Sequence, residues 1–452
     1  MKSRKNLNCN GGFNREINKI LDKREENMKK EKLSPLEKSW ILYDVGNSAF
    51  VLLCSTLLPI FFNALATAGG LSEDLYLSYW SYAGSIATIL VAIIGPICGS
   101  MADQKGFKKT FFIICLALGA LGCLSLGIAG TWLAFLIIFI VAKVGFSSSL
   151  VFYDSMLPEV APEERVDKVS SMGYAYGYIG SVIPFVLCLA LVLGYEMIGI
   201  SQTTAMIIAF ALTSVWWIAC SIPLMIRYKQ TAYVDRKRNP LADAFGDLGR
   251  TLKHAAQHKN ILLYLVAFFF FINGVYTIID MATAYGTSLG LDTTGLLLAL
   301  LLTQVVAFPF AILFGRLASK HSAGKLIKIC IISYSAIILF AVFLVAQWQF
   351  WLLAVLVGMF QGGVQALSRS YLAKIIPAER SGSYFGLMDI CGKGASFIGM
   401  LMVGVVNEAL IGVQIPVFGI TLTNANIAVS TLLILMVVGF VLFCKADKLN
   451  QK

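Results

Sequence analysis

Charge is scarce in this chain: only 13% of its 452 residues are Asp, Glu, Lys or Arg, against 58% hydrophobic. That balance excludes an ordinary soluble globular protein, in which about a quarter of residues are charged. Paired cysteines are absent too. Ten cysteines are scattered singly, most of them inside apolar runs (Cys54, Cys98, Cys115, Cys123, Cys188, Cys220, Cys330, Cys391), with no CxxC. Neither a disulfide framework nor a metal site is implied, and buried free cysteine acts as a small hydrophobe. No GxxxxGK[ST] loop occurs, so ATP is not a direct energy source. No nucleophile stands beside a base, and all three histidines fall in loops. The chain is therefore read as a non-enzyme without cofactors. The first 39 residues are charged and hold no apolar stretch, so no cleavable signal peptide is expected.

What is present is length in apolar runs. A membrane span needs about 20 apolar residues. Twelve such runs start near Trp40, Leu77, Thr110, Trp132, Val169, Gln202, Asn260, Gly295, Ile329, Phe350, Tyr384 and Asn426. Spans so numerous within one chain must be helical, because lipid offers the backbone no hydrogen-bond partners. A membrane β-barrel would instead show alternating segments of about ten residues. Of the 36 lysines and arginines, Lys143, Arg369 and Lys393 fall within helices, and all others fall in the tails or alternate loops. The opposite loops carry Glu73, Asp74, Glu196, Asp292 and Glu408 and no basic residue. This asymmetry predicts both termini in the cytosol of a cell that holds the protein in its cytoplasmic membrane. The net charge of +11 is spread over every cytosolic segment. It is read as attraction to an anionic leaflet rather than to nucleic acid.

The chain repeats itself. Ser155-Met-Leu-Pro-Glu-Val-Ala-Pro-Glu-Glu-Arg165 aligns with Ser370-Tyr-Leu-Ala-Lys-Ile-Ile-Pro-Ala-Glu-Arg380 at an offset of 215 residues, and Gly177/Gly392 and Ser181/Ser396 keep the register. Both copies join an even span to an odd one on the same side. The halves are then related by an axis along the membrane normal. The expected organisation is a tail (1–39), a six-helix bundle (40–226), a cytosolic linker (227–259), a second six-helix bundle (260–444) and a tail (445–452). The linker carries Arg236-Lys237-Arg238, a candidate surface helix from Leu241 to Lys259, and His254 and His258 at a spacing that can bind zinc. No acidic partner completes that pattern, so a polar helix face is the preferred reading.

Between spans two and three stands Gly99-Ser-Met-Ala-Asp103-Gln-Lys-Gly106-Phe-Lys108-Lys109. Gly99 permits close helix approach, Gly106 a tight turn, and Asp103 can accept from a helix N-terminus. With twelve spans and a half-chain repeat, this loop resembles the signature loop of the major facilitator superfamily. The resemblance implies that Asp103 latches the cytosolic gate against the start of helix eleven. The counterpart, Gly315-Arg-Leu-Ala-Ser319-Lys-His-Ser-Ala-Gly-Lys325, lacks the acid. Three further blocks, Trp40-Ile-Leu-Tyr43-Asp44-Val-Gly-Asn47-Ser48-Ala-Phe50, Val151-Phe-Tyr153-Asp154-Ser-Met-Leu-Pro158 and Gln361-Gly-Gly-Val-Gln365-Ala-Leu-Ser368-Arg369-Ser370, narrow the likeness. With Gly173-Tyr-Ala-Tyr-Gly-Tyr178 they resemble the branch of the fungal vacuolar amino-acid effluxer and of bacterial permeases. That branch usually carries an acid where Asn273 stands, so proton carriage there is not expected. Asp280, two turns on, can substitute only if it faces the cavity.

Ionisable residues inside spans are costly and usually functional. Substrate-cavity candidates are Asp44 and Asn47 on helix one, Lys143, Asn273, Gln361, Gln365 and Lys393. Lys393 has Asp389 four residues before it, while Lys143 has no local acid and is expected to meet a substrate anion. Gate candidates are Gly99, Asp103, Gly106, Lys108, Asp154, Arg165, Arg369 and Arg380. The whole reads as a monomeric transporter working by alternating access. It would move a small polar solute, amino acids first, by secondary active or facilitative transport, with protons as an optional coupling ion through Asp44. A lipid translocase on the same fold and a non-transporting membrane sensor are the alternatives.

Overall fold

The computed structural model describes residues 32–450, apart from 72, 236–245, 247–248, 251–252, 254–255 and 418. Among the described residues eleven helices are long and apolar enough to cross a membrane, and a bent pair of helices makes a twelfth span. The first, α1, runs Pro35–Ser55 and, after a 40° bend, Leu57–Ala68. The others are α2 (Glu73–Ala102), α3 (Phe107–Ser125), α4 (Trp132–Ser155), α5 (Val166–Leu193), α6 (Gln202–Arg227), α7 (Lys259–Ser288), α8 (Thr293–Ala318), α9 (Ala323–Val342), α10 (Gln347–Ile375), α11 (Ser381–Ala409) and α12 (Leu432–Asn450). A short helix, Asn424–Ser430, leads into α12.

Local chemistry sets the ends and the bend. Ser34 caps α1 in a capping box with Glu37, and Pro35 opens the helix. At the bend, Ser55 and Thr56 turn their hydroxyls back onto the carbonyls of Val51 and Leu52, and Pro59 cannot donate to Ser55. Hydroxyl back-bonding and a missing N–H are recognised causes of kinks. Thr131, Ser201, Asp292 and Ser322 cap α4, α6, α8 and α9.

The helices form two six-helix bundles. In the first, α1 packs on α5 and α6, and α4 on α2 and α3; in the second, α7 packs on α12 and α11, and α10 on α8 and α9. The bundles meet where α2 lies on α11 and α5 lies on α8 and α10. One departure from an all-helical chain is a small antiparallel hairpin between α11 and α12, β1 (Ile415–Val417) with β2 (Ile420–Leu422). Gly419 there adopts φ +79°.

The starts of α1 and α7 and the ends of α6 and α12 share one face. Arg227 Nη1 donates to Ser39 there, and Asn260 to Asn450. We call it the linker face, because the central linker leaves and re-enters on it. The first described linker residues fold back over the α2–α3 loop. Lys105 N–H donates to the Val234 carbonyl and Val234 N–H to that of Asp103. Of the linker histidines, His254 lies outside the described residues.

Candidate functional site

The α2–α3 loop meets α11 backbone to backbone. A Cβ on Gly99 would overlap the Gly382 carbonyl, and one on Gly382 the Gly99 carbonyl, so only glycine fits at this crossing. Gly106 then turns the chain with φ +82°. This crossing brings Asp103 over the first turn of α11. Its carboxylate accepts from the N–H groups of Gly382 (2.7 Å) and Ser383 (3.0 Å) and from the Ser383 hydroxyl (2.6 Å). Helix N-terminal N–H groups lack intrahelical partners and carry partial positive charge, so a carboxylate satisfies both needs. Burial raises the Asp103 carboxyl to about 6 even though Lys108 and these donors pull it down.

Lys108 is fully buried and donates to Glu159 (2.8 Å), Ser381 Oγ (2.8 Å) and the Ser155 carbonyl (3.3 Å). Glu159 also accepts from Tyr228 OH, from Thr231 N–H and hydroxyl, and from Ala232 N–H. Burial opposes ionisation of Glu159, but Lys108 and these donors outweigh it and hold the carboxyl below its usual range. Glu159 therefore ties α3, the α4–α5 turn and the start of the linker together. The sequence reading missed it, although its place in the repeat opposite Lys374 marks it.

Deeper between the bundles lies Arg369 on α10, 3% exposed. Its Nε donates to Ser170 Oγ (2.9 Å) and Nη2 to the Ser170 carbonyl (3.0 Å). Nη1 reaches Asp154 (2.9 Å), and both terminal nitrogens approach Asp44 at 3.3–3.4 Å. The guanidinium faces the rings of Trp40 at 4.5 Å and Tyr174 at 4.4 Å. Two carboxylates, a serine and two aromatic faces from the first bundle thus enclose one cation from the second. A desolvated guanidinium needs this full set, because an unpaired buried charge is costly. A third bridge, Lys374 on α10 to Asp167 on α5, spans 2.5 Å.

Two cavity candidates on α1 belong to this network. Asp44 is 7% exposed, bonded by Tyr153 OH (2.7 Å) and Arg369; Asn47 is 3% exposed and donates to Asp44 at 3.3 Å. Asp44 faces the closed gate because its crossing over Gly173 of α5 sets it against Arg369 of α10, and Asn47 joins the gate through its bond to Asp44. Asn273 also leaves the cavity set. It packs against Gly399 of α11 within its own bundle, where its carbonyl accepts from Thr277. Arg165 is buried against Glu37 at 3.1 Å. Its repeat partner Arg380 stands at the N-cap position of α11 without a side-chain capping bond and forms no ion pair among the described residues. Ser319 donates to the Arg316 carbonyl of its own helix (2.6 Å), so no acid-type latch forms in the second half.

Beyond the gate, polar side chains from both bundles face one another. Lys143 on α4 and Lys393 on α11 each stand twelve residues from the linker-face end of their helix, about 18 Å at 1.5 Å per residue. Lys393 is paired with Asp389. Lys143 reaches over the Phe139 ring at 6.0 Å and has no ion-pair partner among the described residues. Asp280 on α7 accepts from Ser396 (2.6 Å), is exposed despite its place inside a span, and feels the charge of Lys143 across the bundles. Tyr174, Tyr178 and Tyr276 stand half-buried nearby. Gln361 is buried and Gln365 half-buried on the Arg369 face of α10.

Spans in two bundles, joined among the described residues by hydrogen bonds and ion pairs toward the linker face, define a multi-pass membrane protein of the major facilitator fold. Solved structures agree. A bacterial homologue of the iron transporter ferroportin in the outward-facing state superposes with a TM-score of 0.67 at 13% identity, covering 91% of this chain and 98% of that one. The transporter FucP in the outward conformation gives 0.65 at 16% identity, covering 91% and 97%. At that identity the likeness shows the fold alone. The family is shown separately: residues 35–450 match the model for vacuole effluxer Atg22-like proteins, and the chain belongs to that family. The "Uncharacterized MFS-type transporter YxiO" of Bacillus subtilis (strain 168) is 38% identical over 411 residues, 90% of this chain and 93% of that protein. Autophagy-related protein 22 of Coccidioides immitis (strain RS) is 23% identical over 430 residues, 76% and 69% of the two chains.

Proposed function

We propose that this transporter moves a small zwitterionic solute, amino acids first, by alternating access. The linker face is taken as cytosolic from the distribution of basic residues. The structure is then read as the state closed to the cytosol and open to the other side. One observation carries the reading. The inter-bundle hydrogen bonds and ion pairs described above all lie toward the linker face. Beyond them, Lys143 and Asp280 stand on opposite bundles without a partner of opposite charge in contact. A solute with a carboxylate and an ammonium group satisfies both and draws the bundles together. A site near the midplane between halves is the geometry alternating access requires. The protein works as a monomer in the cytoplasmic membrane, with a proton gradient or exchange as the driving force.

The test is counterflow in proteoliposomes loaded with an unlabelled amino-acid mixture, following entry of labelled amino acids one at a time. Accumulation absent from protein-free vesicles, and lost in both Lys143→Met and Asp280→Asn with expression intact, supports the reading. Accumulation that both variants retain removes these residues from the site. No accumulation by folded wild-type protein ends the amino-acid assignment and moves sugars, organic anions and lipids ahead of it.

A further inference from the structure

Asp154 differs from Asp44, Asp103 and Glu159 in its free oxygen, and from Asp167, whose side chain is 9% exposed, in showing its side chain to open space. Asp44 is 10% exposed in its side chain, and both its oxygens are occupied. Asp103 and Glu159 have every oxygen occupied by donors. Asp154 uses one oxygen, Oδ1, to accept from Arg369. Its other oxygen has no partner among the described residues, and its side chain is 27% exposed. The carboxylate thus has one face in the gate and one in open space. Asp389 of α11 and Val151, one turn before Asp154 on α4, meet over Gly95 of α2, so the open face stands beside the Asp389–Lys393 pair of the other bundle. Lys393 is already committed to Asp389 and leaves Asp154 free.

Arg369, in contrast, has no spare donor. Its five N–H groups go to Ser170 Oγ, the Ser170 carbonyl, Asp154 and Asp44. Any group that takes Asp154 from it must leave Arg369 a way to remain satisfied. Asp44 and the two Ser170 acceptors provide that, so losing Asp154 weakens the clamp without orphaning the guanidinium.

We propose that Asp154 belongs to both gate and cavity: its free oxygen binds the cationic group of the transported solute, which thereby competes with Arg369 for one carboxylate and loosens the linker-face gate. The proposal rests on the transport reading above but not on amino acids as the solute. The cationic end of the solute meets Asp280 in the closed-gate state and passes to Asp154, on the gate side of the cavity, as the gate loosens, while Lys143 keeps the anionic end. Binding and unlocking are then one event, and a solute without a cation binds without opening the gate. A ligand shifts such an equilibrium only by its differential contact with the two states, and a shared carboxylate supplies that difference.

Hydrogen–deuterium exchange on the intact protein in nanodiscs reads the gate directly, because the Gly382 and Ser383 amides bonded to Asp103 lie in a peptide over residues 381–387. The probes are an equimolar mixture of the protein amino acids and a matched mixture of 2-hydroxy acids, which keep the carboxylate and lack the ammonium. In wild type we expect amino acids to speed gate exchange several-fold and hydroxy acids to leave it unchanged. Asp154→Asn is expected to exchange about tenfold faster with no solute, roughly the loss of one charge-assisted hydrogen bond, and to lose the response. Asp154→Glu restores the response. Lys374→Gln, which weakens the gate elsewhere, speeds exchange but keeps the response; a merely structural role for Asp154 would make the two variants alike. Equal responses to amino and hydroxy acids overturn the cation trigger. Solute-free exchange unchanged in Asp154→Asn overturns the shared carboxylate, whatever counterflow says of the substrate. If wild-type counterflow finds no amino acid, the amino-acid reading fails alone, and the solute-free arm still decides this one.

Discussion

At the start of α11 a carboxylate from the α2–α3 loop accepts two backbone N–H groups and a hydroxyl. At the start of α5, its counterpart in the other half, the α8–α9 loop offers Ser319, which bonds its own helix instead. The repeat offset of 215 places Asp167 where the first latch has Gly382, and Glu159 where the second half has Lys374. The same two positions are thus used in opposite ways. Glu159 stays inside its bundle and holds Lys108 and the linker, whereas Lys374 reaches across to Asp167. The first latch is sealed, with Asp103 3% exposed; the second is wetter, with the Lys374 side chain 25% exposed. A buried charge-assisted latch holds more strongly than a partly solvated ion pair. The α5–α8 side is therefore the side expected to loosen first, and Arg369 between them is the common lock.

Removing the lock tests the comparison most severely. Arg369→Met leaves Asp44 and Asp154 without their cation, and breaking a buried pair in this way costs about 3–5 kcal/mol. Transport is expected to vanish and the melting temperature in detergent to fall; a stable, active variant would show that the closed gate does not depend on this cation. Next in size is Gly99→Ala, which puts a Cβ against a backbone carbonyl that has no rotamer to yield. Overpacking of this kind costs about 1–3 kcal/mol. Faster exchange at residues 381–387 and slower counterflow would register it.

Asp103→Asn keeps the shape but turns an NH2 group toward one of the donors at the start of α11, and about 1–3 kcal/mol for that orphaned donor is at stake. Lys374→Met on the other side is expected to cost no more than about 1 kcal/mol. If gate exchange responds equally to the two, the asymmetry is cosmetic. The exchange Ser319→Asp with Asp167→Gly sharpens the point. It rebuilds the first-half chemistry in the second half and should slow gate exchange, whereas Ser319→Asp alone sets two acids together and should speed it.

The smallest effect is in pH. The carboxyl of Asp103 is raised to about 6 in the closed gate by burial. It thus binds a proton more tightly closed than when opened to water. Its contribution to closure is complete below its ordinary value near 4 and fades as pH rises through about 6. Glu159, held below its usual range, does not titrate in that window. With the intrinsic pH dependence of amide exchange divided out, acidification from pH 7 to 5 should therefore raise gate protection in wild type and leave that of Asp103→Asn unmoved.

Much of this was legible in the sequence. Twelve apolar runs locate the spans because lipid demands both length and internal hydrogen bonding, and the glycines flanking Asp103 mark a close crossing because few other residues permit one. The pairing of Lys393 with Asp389 followed from spacing along one helix. Other features were not legible. Asp44 and Asn47 lie on a polar stripe of α1, and nothing local tells whether that stripe meets water or Arg369, 325 residues away. Asn273 looks equally polar whether it faces a cavity or Gly399 of its own bundle. The bend at Thr56 and the hairpin at Gly419 depend on local back-bonding and turn geometry within otherwise apolar sequence.

The sequence by itself determined that this chain spans a membrane, how many times, and which loops share a side. Those outcomes depend on hydrophobic length and charge count, which are local sums. Only the tertiary structure decided which polar side chains seal the gate and which remain open to a solute. That choice depends on which carboxylates come within hydrogen-bond distance of Arg369, and a distance between bundles is not written in either one.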